Sequence, residues 1–589
     1  MNQSARPLFP DSPAPVRRLS GAAPWLILAA AFLSYADAFR LPFFFDDVHN
    51  ILQNPSVGSC TSLWRAFFPE RAVGISGRPF LHFTFVLNHL AGSYDTAGYH
   101  LLNVLLHAAC ALLLFGIMRR TLSLPAFAGR FGASAEALAL WAALLWTVHP
   151  VQTEAVSYLT NRGEILASIA IAFSLYGLLR ARASARPLGW HLAVWIVFFL
   201  GMGSKEIAAV APVLAVIYDG IFLSEGYGKA LRRSWKFLLG FAPGYMLLAW
   251  LLARGGTEAA LGQTIAWWRY AFSQGQVILH YMRQIFWSTN LCLDWEWPPA
   301  GLWDGILPFL AVAALLGLTL YGLARRRPWA FLGAWFFVIL APSSSLLPLR
   351  KLACDYRVYL PLAAVTTAAA LSIHALASPR LTSRPGLRRA GIVLLSLFIL
   401  FLSGLSLARN RVFAGEISIW SDVSAKDPKN LRAYQNLGLA LDRAGRSEEA
   451  IEVFRRGLAL YPDSAELLAN MGRACQGLGR LEEALKLYRR ALSINFALPE
   501  VHLNLGNIQA QAGRYGVAAL AYRQALAINP YYFKAWLNLG NAFLMMKRPL
   551  DAKACYQKAL LLVPGEPEAA GNLQRATQAA RIEAGALPR

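Results

Sequence analysis

The stretch from Phe43 to Pro55 reads FFFDDVHNILQNP, three phenylalanines running into the adjacent carboxylates Asp46 and Asp47. A carboxylate at a membrane surface can take the proton of an acceptor hydroxyl. Basic side chains able to hold a phosphate, and to stabilise it as it leaves, recur downstream. They are Arg78 in SGRPF, Arg162 in WTVHPVQTEAVSYLTNR, Lys205 in GSKE and Arg357 in LLPLRKLACDYRVYLP. The same segments carry His149, Glu154 and Glu206 in supporting positions, with Arg350, Lys351 and Asp355 beside Arg357. Each residue also has a plain structural explanation, since paired acids can end a helix and basic side chains at helix ends reach for headgroups. Acids and bases gathered on one face are what point to chemistry.

The elements that must position them are apolar. The chain has 589 residues, 56% hydrophobic and 15% charged, which excludes an ordinary soluble enzyme. Stretches able to cross a bilayer fall near 22–40, 97–118, 134–149, 164–181, 188–203, 206–224, 237–253, 302–324, 329–346, 357–377 and 389–409. Eleven spans put Arg17-Arg18, Arg119-Arg120, Arg180–Arg186, Arg232-Arg233, Arg325–Arg327 and Arg380–Arg389 on one side, which is then the cytoplasmic side. This clustering accounts for the net charge of +23 without nucleic acid. Arg6, Arg17 and Arg18 precede the first span, which reads as an uncleaved signal anchor after a cytoplasmic tail at 1–21. Residues 261–289 carry Arg269, His280 and Arg283, and are expected to form an amphipathic or re-entrant element on the outer face. The spans hold few charges, which argues against a proton-coupled carrier. Six scattered cysteines without a CxxC pair indicate neither zinc nor a disulfide framework.

Beyond the last span the pattern changes. Asn436, Asn470, Asn504 and Asn538 open NLG-type triplets 34 residues apart, and Ala450, Ala484, Ala518 and Ala552 keep the same spacing. Phe454, Tyr488, Tyr522 and Tyr556 do so too. That is the tetratricopeptide signature: four repeats over about 431–566, a partial one before them at Trp420 and Pro428, and a capping helix at 567–585. The expected fold is therefore all-α, a polytopic membrane domain at 22–409 with its first outer loop at 41–96, followed by an extracytoplasmic α-solenoid at 410–589. Stacked repeats would align the four asparagines as a ladder of amides able to bind an acceptor peptide backbone, or only to pack the solenoid.

The segments FFFDDVHNILQNPSV, GRPF, HPVQTEAVSYLTNRGEIL, SKE and YRVYLP, followed by NLG repeats, resemble the transmembrane and tetratricopeptide repeat-containing family over roughly 20–580. Those proteins are integral-membrane glycosyltransferases of the GT-C fold, and the eukaryotic members are protein O-mannosyltransferases that use dolichyl-phosphate mannose. The resemblance implies a catalytic acid at Asp46 or Asp47, Asp46 being favoured as nearer the membrane. It also implies donor-phosphate contacts at Arg78, Arg162, Lys205 and Arg357. The sequence departs from the family's acid-arginine pair ahead of YLP, showing Asp355-Tyr356-Arg357 instead. The expected activity is inverting transfer of a monosaccharide from a polyprenyl-phosphate donor to Ser or Thr hydroxyls of exported proteins, in a bacterial inner membrane. No metal or further cofactor is expected, because arginine and lysine can hold a monophosphate. The alternatives are a non-catalytic membrane scaffold that recruits envelope proteins, and a transferase acting on lipid or glycan.

Overall fold

The computed structural model describes residues 21–58, 62–68, 74–254, 265–345, 348–349, 351–381 and 385–583. The expected N-terminal tail with Arg6, Arg17 and Arg18, the start of the 261–289 element, and Arg350 lie outside the described residues. Among the described residues every regular element is helical. The chain divides into two compact units, Met1–Asp427 and Pro428–Arg589.

In the first unit five helices are long and apolar enough to cross a membrane: Thr96–Leu122, Leu159–Arg182, Glu206–Leu223, Leu302–Ala324 and Pro385–Ala414. The count rises to seven if two bent helix pairs each make one crossing, and four further apolar helices are shorter. The segment Leu159–Arg182 is 78% buried over its most apolar stretch, whereas Leu302–Ala324 is 11% buried, so the former is the central pillar and the latter faces outward. The pillar can be enclosed because small residues line it. A side chain at Gly177 would come within 2.2 Å of Val194, and one at Gly201 within 2.3 Å of Ala170, so Pro187–Met202 packs almost backbone to backbone against it.

One expected span takes another form. The apolar run 237–253 is not one straight helix: Tyr227–Leu239 and Ala242–Ala253 meet at 61°. Gly240 sits at the corner, where a Cβ would lie 1.9 Å from the Trp195 indole, and the next helix starts with Pro243 in its first turn. The element expected at 261–289 is a helix, Trp267–Phe286, with Tyr270, Gln274, Val277, Tyr281 and Gln284 buried along one side. It packs along Leu302–Ala324, Gly275 fitting against the Phe309 backbone.

The second unit is four helix pairs, Leu431–Arg443 with Ser447–Leu460, Ala465–Gly477 with Leu481–Ile494, Pro499–Gln511 with Tyr515–Ile528, and Phe533–Met545 with Pro549–Leu562, closed by Pro567–Glu583. The 34-residue period has a steric cause. Gly438, Gly472, Gly506 and Gly540 receive the rings of Phe454, Tyr488, Tyr522 and Tyr556, each ring within 2.9 Å of where a Cβ would be. Gly445, Gly479 and Gly513 turn the chain with φ near +75°, and Lys547 takes the same place at φ 57° without being glycine. Trp420, read as part of a preceding partial repeat, is in helix Glu416–Lys426 of the first unit, where its ring meets Phe45 edge-on at 5.1 Å.

Candidate active site

The paired acids sit in a tight turn. Phe45 has a left-handed backbone (φ 51°), a strained conformation for a residue with a side chain, and its ring is held by Trp420. The amides of Asp47 and Val48 donate to the Phe44 and Phe45 carbonyls. Phe44 stacks on Tyr158 at 5.0 Å, and the Tyr158 hydroxyl accepts the Asp46 amide N–H at 3.2 Å. The turn points the two carboxylates in different directions. Asp46 is exposed; Asp47 is fully buried. Asp47 Oδ1 accepts from the Thr160 amide (2.9 Å) and hydroxyl (3.0 Å), while its buried Oδ2 has no protein partner. Burial pushes the Asp47 carboxyl up to about 7, against the pull of the Thr160 hydrogen bonds, and the Asp46 charge adds to the rise.

The same helix end carries the first cation. Thr160 and Glu164 lie four residues apart, about one helical turn or 6 Å along the axis. Buried Glu164 pairs with Lys205 Nζ at 2.8 Å, and that ammonium also lies 4.3 Å over the Tyr356 ring. Close approach makes this possible: a Cβ at Gly163 would lie 3.1 Å from the Ser204 carbonyl. Next to Lys205, Glu206 keeps 43% of its side chain exposed, and Arg78 Nη2 lies 3.8 Å from it. The charges of Arg78, Lys205 and Arg357 all bear on Glu206. The Phe80 amide donates to the Gly203 carbonyl at 2.9 Å, which clamps the start of helix Pro79–Gly92, and so Arg78, to the Lys205 loop.

Arg162, two residues after Thr160, feels the Asp47 charge but commits its donors to neutral protein groups. It is fully buried: Nε donates to Asn103 Oδ1 (2.6 Å), Nη1 to Asn88 Oδ1 (2.7 Å) and Thr84 Oγ1 (3.1 Å), and Nη2 to the Tyr99 carbonyl (3.0 Å). It lies 4.4 Å over the Phe85 ring. It is a brace that joins the central helix to Pro79–Gly92. Arg357 is a brace as well, buried and donating to the Leu352, Lys351 and Ser343 carbonyls. His149 accepts from the Val151 amide at Nδ1 and meets the Ile285 carbonyl at Nε2, 2.9 Å away, which fixes a neutral ring between its own turn and the end of helix Trp267–Phe286. Glu154 is buried, accepts from the Tyr356 backbone and feels Lys351 and Arg409. Asp355 accepts from the Cys292 amide and the Trp295 indole, and Lys351 pairs with Asp294 at 2.9 Å.

Thr160, Glu164 and Tyr356 were not singled out by spacing. Glu164 carries a signal, an acid in the first turn of a helix; Thr160 carries none, since its partner lies 113 positions away.

In the repeats, Asn538 Nδ2 donates to Asn507 Oδ1 (2.8 Å), and Asn572 Nδ2 to Asn541 Oδ1 (2.8 Å). Tyr522 and Tyr556 donate to the same two oxygens at 2.9 and 2.7 Å. Asn504 meets the Tyr488 hydroxyl, Asn470 is half-buried and Asn436 Nδ2 is buried. Asn538 and Asn572 thus tie their repeats to the preceding ones, with Asn507 and Asn541 as the receiving ends. These two line a cleft of about 330 Å³ with Gln476, Gln511 and Tyr515.

Families described as "TPR repeat" and "Tetratricopeptide repeat" match residues 472–513 with 506–547, and 431–474 with 533–566, respectively. "Protein O-mannosyl-transferase TMTC3" of Mus musculus is 25% identical over 486 residues, 74% of this chain and 51% of that protein. "Protein O-mannosyl-transferase F38B6.6" of Caenorhabditis elegans is 24% identical over 466 residues, covering 74% and 62%. The chain therefore spans between half and two thirds of these relatives. The solved structure of Pseudomonas aeruginosa pilF is 28% identical, covers 26% of this chain and 69% of its own, and has a TM-score of 0.25, too low to bear on the fold. Over about three quarters of its length, then, the chain is similar to curated TMTC protein O-mannosyl-transferases, in keeping with its motifs, and its C-terminal unit carries tetratricopeptide repeats.

Proposed function

We propose that the protein is a membrane glycosyltransferase that moves a monosaccharide from a polyprenyl-phosphate donor to a Ser or Thr hydroxyl of a protein, with inversion. The observation that carries it is the anchoring of an acid and a cation one turn apart on one buried helix end, Asp47 on Thr160 and Lys205 on Glu164. Asp46, exposed and held through its amide by Tyr158, takes the acceptor proton. The hydroxyl oxygen then bonds to the anomeric carbon as the carbon–phosphate oxygen bond breaks, and polyprenyl phosphate leaves with the electron pair. Arg78 and Lys205 stabilise the leaving phosphate, displacing Glu206 and part of the Glu164 pairing. Arg162 and Arg357 hold the two walls in place. The protein acceptor is gathered by the repeat cleft, with the membrane crossed eleven times and the repeats on the same side as Asp46.

The test is incubation of the purified chain with polyprenyl-phosphate mannose and a Ser/Thr-rich protein, followed by mass spectrometry for the site and NMR of the glycopeptide for the anomeric configuration. Hexose on Ser or Thr, in the anomeric configuration opposite to the donor's, supports the proposal. Sugar found only on lipid or glycan, or donor left intact, overturns it.

A further inference from the structure

The helix Tyr227–Leu239 plays no part in that chemistry, and its surface divides into three faces. Ala230, Ser234 and Phe237 turn inward and are buried. Leu231, Trp235 and Leu239, four residues apart, form a stripe that is 47, 53 and 62% exposed. Lys229, Arg232, Arg233 and Lys236 are exposed on the third face; Lys229 pairs with Glu225 just ahead of the helix, and the helix itself contains no acid.

Its position is set at its start and its middle by arginine-rich helix termini. Arg182, closing the central pillar, donates to Ser234 Oγ (2.8 Å) and Asp219 Oδ2, and Ser234 Oγ donates to Asp219 in turn (2.7 Å). The Tyr227 hydroxyl donates to the Leu323 carbonyl (2.7 Å), just ahead of Arg325, Arg326 and Arg327. From there the chain turns through 61° into the apolar helix Ala242–Ala253. A leucine-tryptophan stripe beside a row of cations, level with the basic ends of two candidate spans, has the make-up of a helix lying in the plane of a membrane interface. Acyl chains would cover the stripe, and the cations would meet phosphates.

We propose that Tyr227–Leu239 lies in the headgroup layer of the leaflet on the side of those arginine-rich ends, and gathers anionic phospholipid there. Charge complementarity selects this occupant: Lys229 is paired with Glu225, and the remaining Arg232, Arg233 and Lys236 concentrate anionic over zwitterionic headgroups.

The experiment uses the full chain with a fluorophore at L239C, reconstituted into mixed phosphatidylcholine and phosphatidylglycerol bilayers. A nitroxide is carried on the acyl chains of one lipid or of the other. Both should quench the fluorophore, and the phosphatidylglycerol-borne nitroxide should quench about threefold or more strongly at low ionic strength. That ratio should fall towards one in about 1 M salt, and in the R232Q/R233Q/K236Q variant. If the variant fails to reconstitute, the salt titration of the parent chain carries the test. Equal quenching by the two lipids at low salt overturns the proposal. So does a fluorophore reached by aqueous iodide but by neither lipid, the result expected if the stripe docks on a protein instead.

Discussion

Replacing Asp47 by Asn separates the two acids by a measurement that needs no substrate. The native state holds the Asp47 carboxyl at about 7, whereas an unfolded carboxyl of this type titrates at 3.8. Above pH 4 the unfolded chain has released a proton that the folded chain still binds. Stability is therefore lost as pH rises from about 4 to about 7, and is flat beyond. The ionised native form costs about 4 kcal/mol by pH 8, about 3 of it accruing between pH 5 and pH 8. Asn keeps an oxygen for Thr160 but places an amide N–H₂ where the buried Oδ2 has no partner, at a cost of about 1–3 kcal/mol at every pH. Asp47→Asn should thus be neutral or mildly destabilising at pH 5, and stabilising by about 1–3 kcal/mol at pH 8. Denaturant unfolding of the purified chain in micelles, followed by tryptophan fluorescence over that range, reads the difference. A difference that does not change with pH would refute the buried, proton-holding role of Asp47.

Three further outcomes follow from the geometry. Arg162→Gln should lower stability by about 3–5 kcal/mol, because it empties a buried guanidinium network, while the folded fraction keeps its donor KM; a raised KM with unchanged stability would return Arg162 to the phosphate. Lys547→Gly should raise the stability of the repeat unit by about 1 kcal/mol in thermal unfolding, since it relieves a left-handed residue where three other repeats use glycine. Asn507→Ala with Asn541→Ala should lower glycosylation of long protein acceptors and leave short peptides nearly unaffected; equal losses on both would make the cleft purely structural.

The repeat unit was legible almost residue by residue, because its period is enforced locally: each glycine faces an aromatic sixteen positions on in the same repeat, as Gly438 faces Phe454. The membrane unit was legible as apolar stretches, and less so as helices. Hydropathy does not register that Gly240 must bend the chain around Trp195. In the site, residue type located the acids and cations, but burial sorted them. Arg162 and Lys205 look alike on paper as cations in loop motifs; one is enclosed by neutral acceptors and the other meets a carboxylate. Asp46 and Asp47 are adjacent, and only the left-handed turn at Phe45 and the distant Thr160 make one exposed and the other buried. The spacing of the NLG asparagines aligns them but does not choose between binding a peptide and packing the solenoid; Asn538 donates its amide to Asn507 of the previous repeat.

The most direct measurement is single-turnover transfer of labelled mannose from polyprenyl-phosphate mannose to a protein acceptor, comparing the parent chain with Asp46→Asn at equal folded concentration. Loss of the base should slow transfer about 10²–10⁴-fold while donor binding is retained. Transfer by Asp46→Asn at the parent rate would contradict the assignment of Asp46 as the group that activates the acceptor hydroxyl.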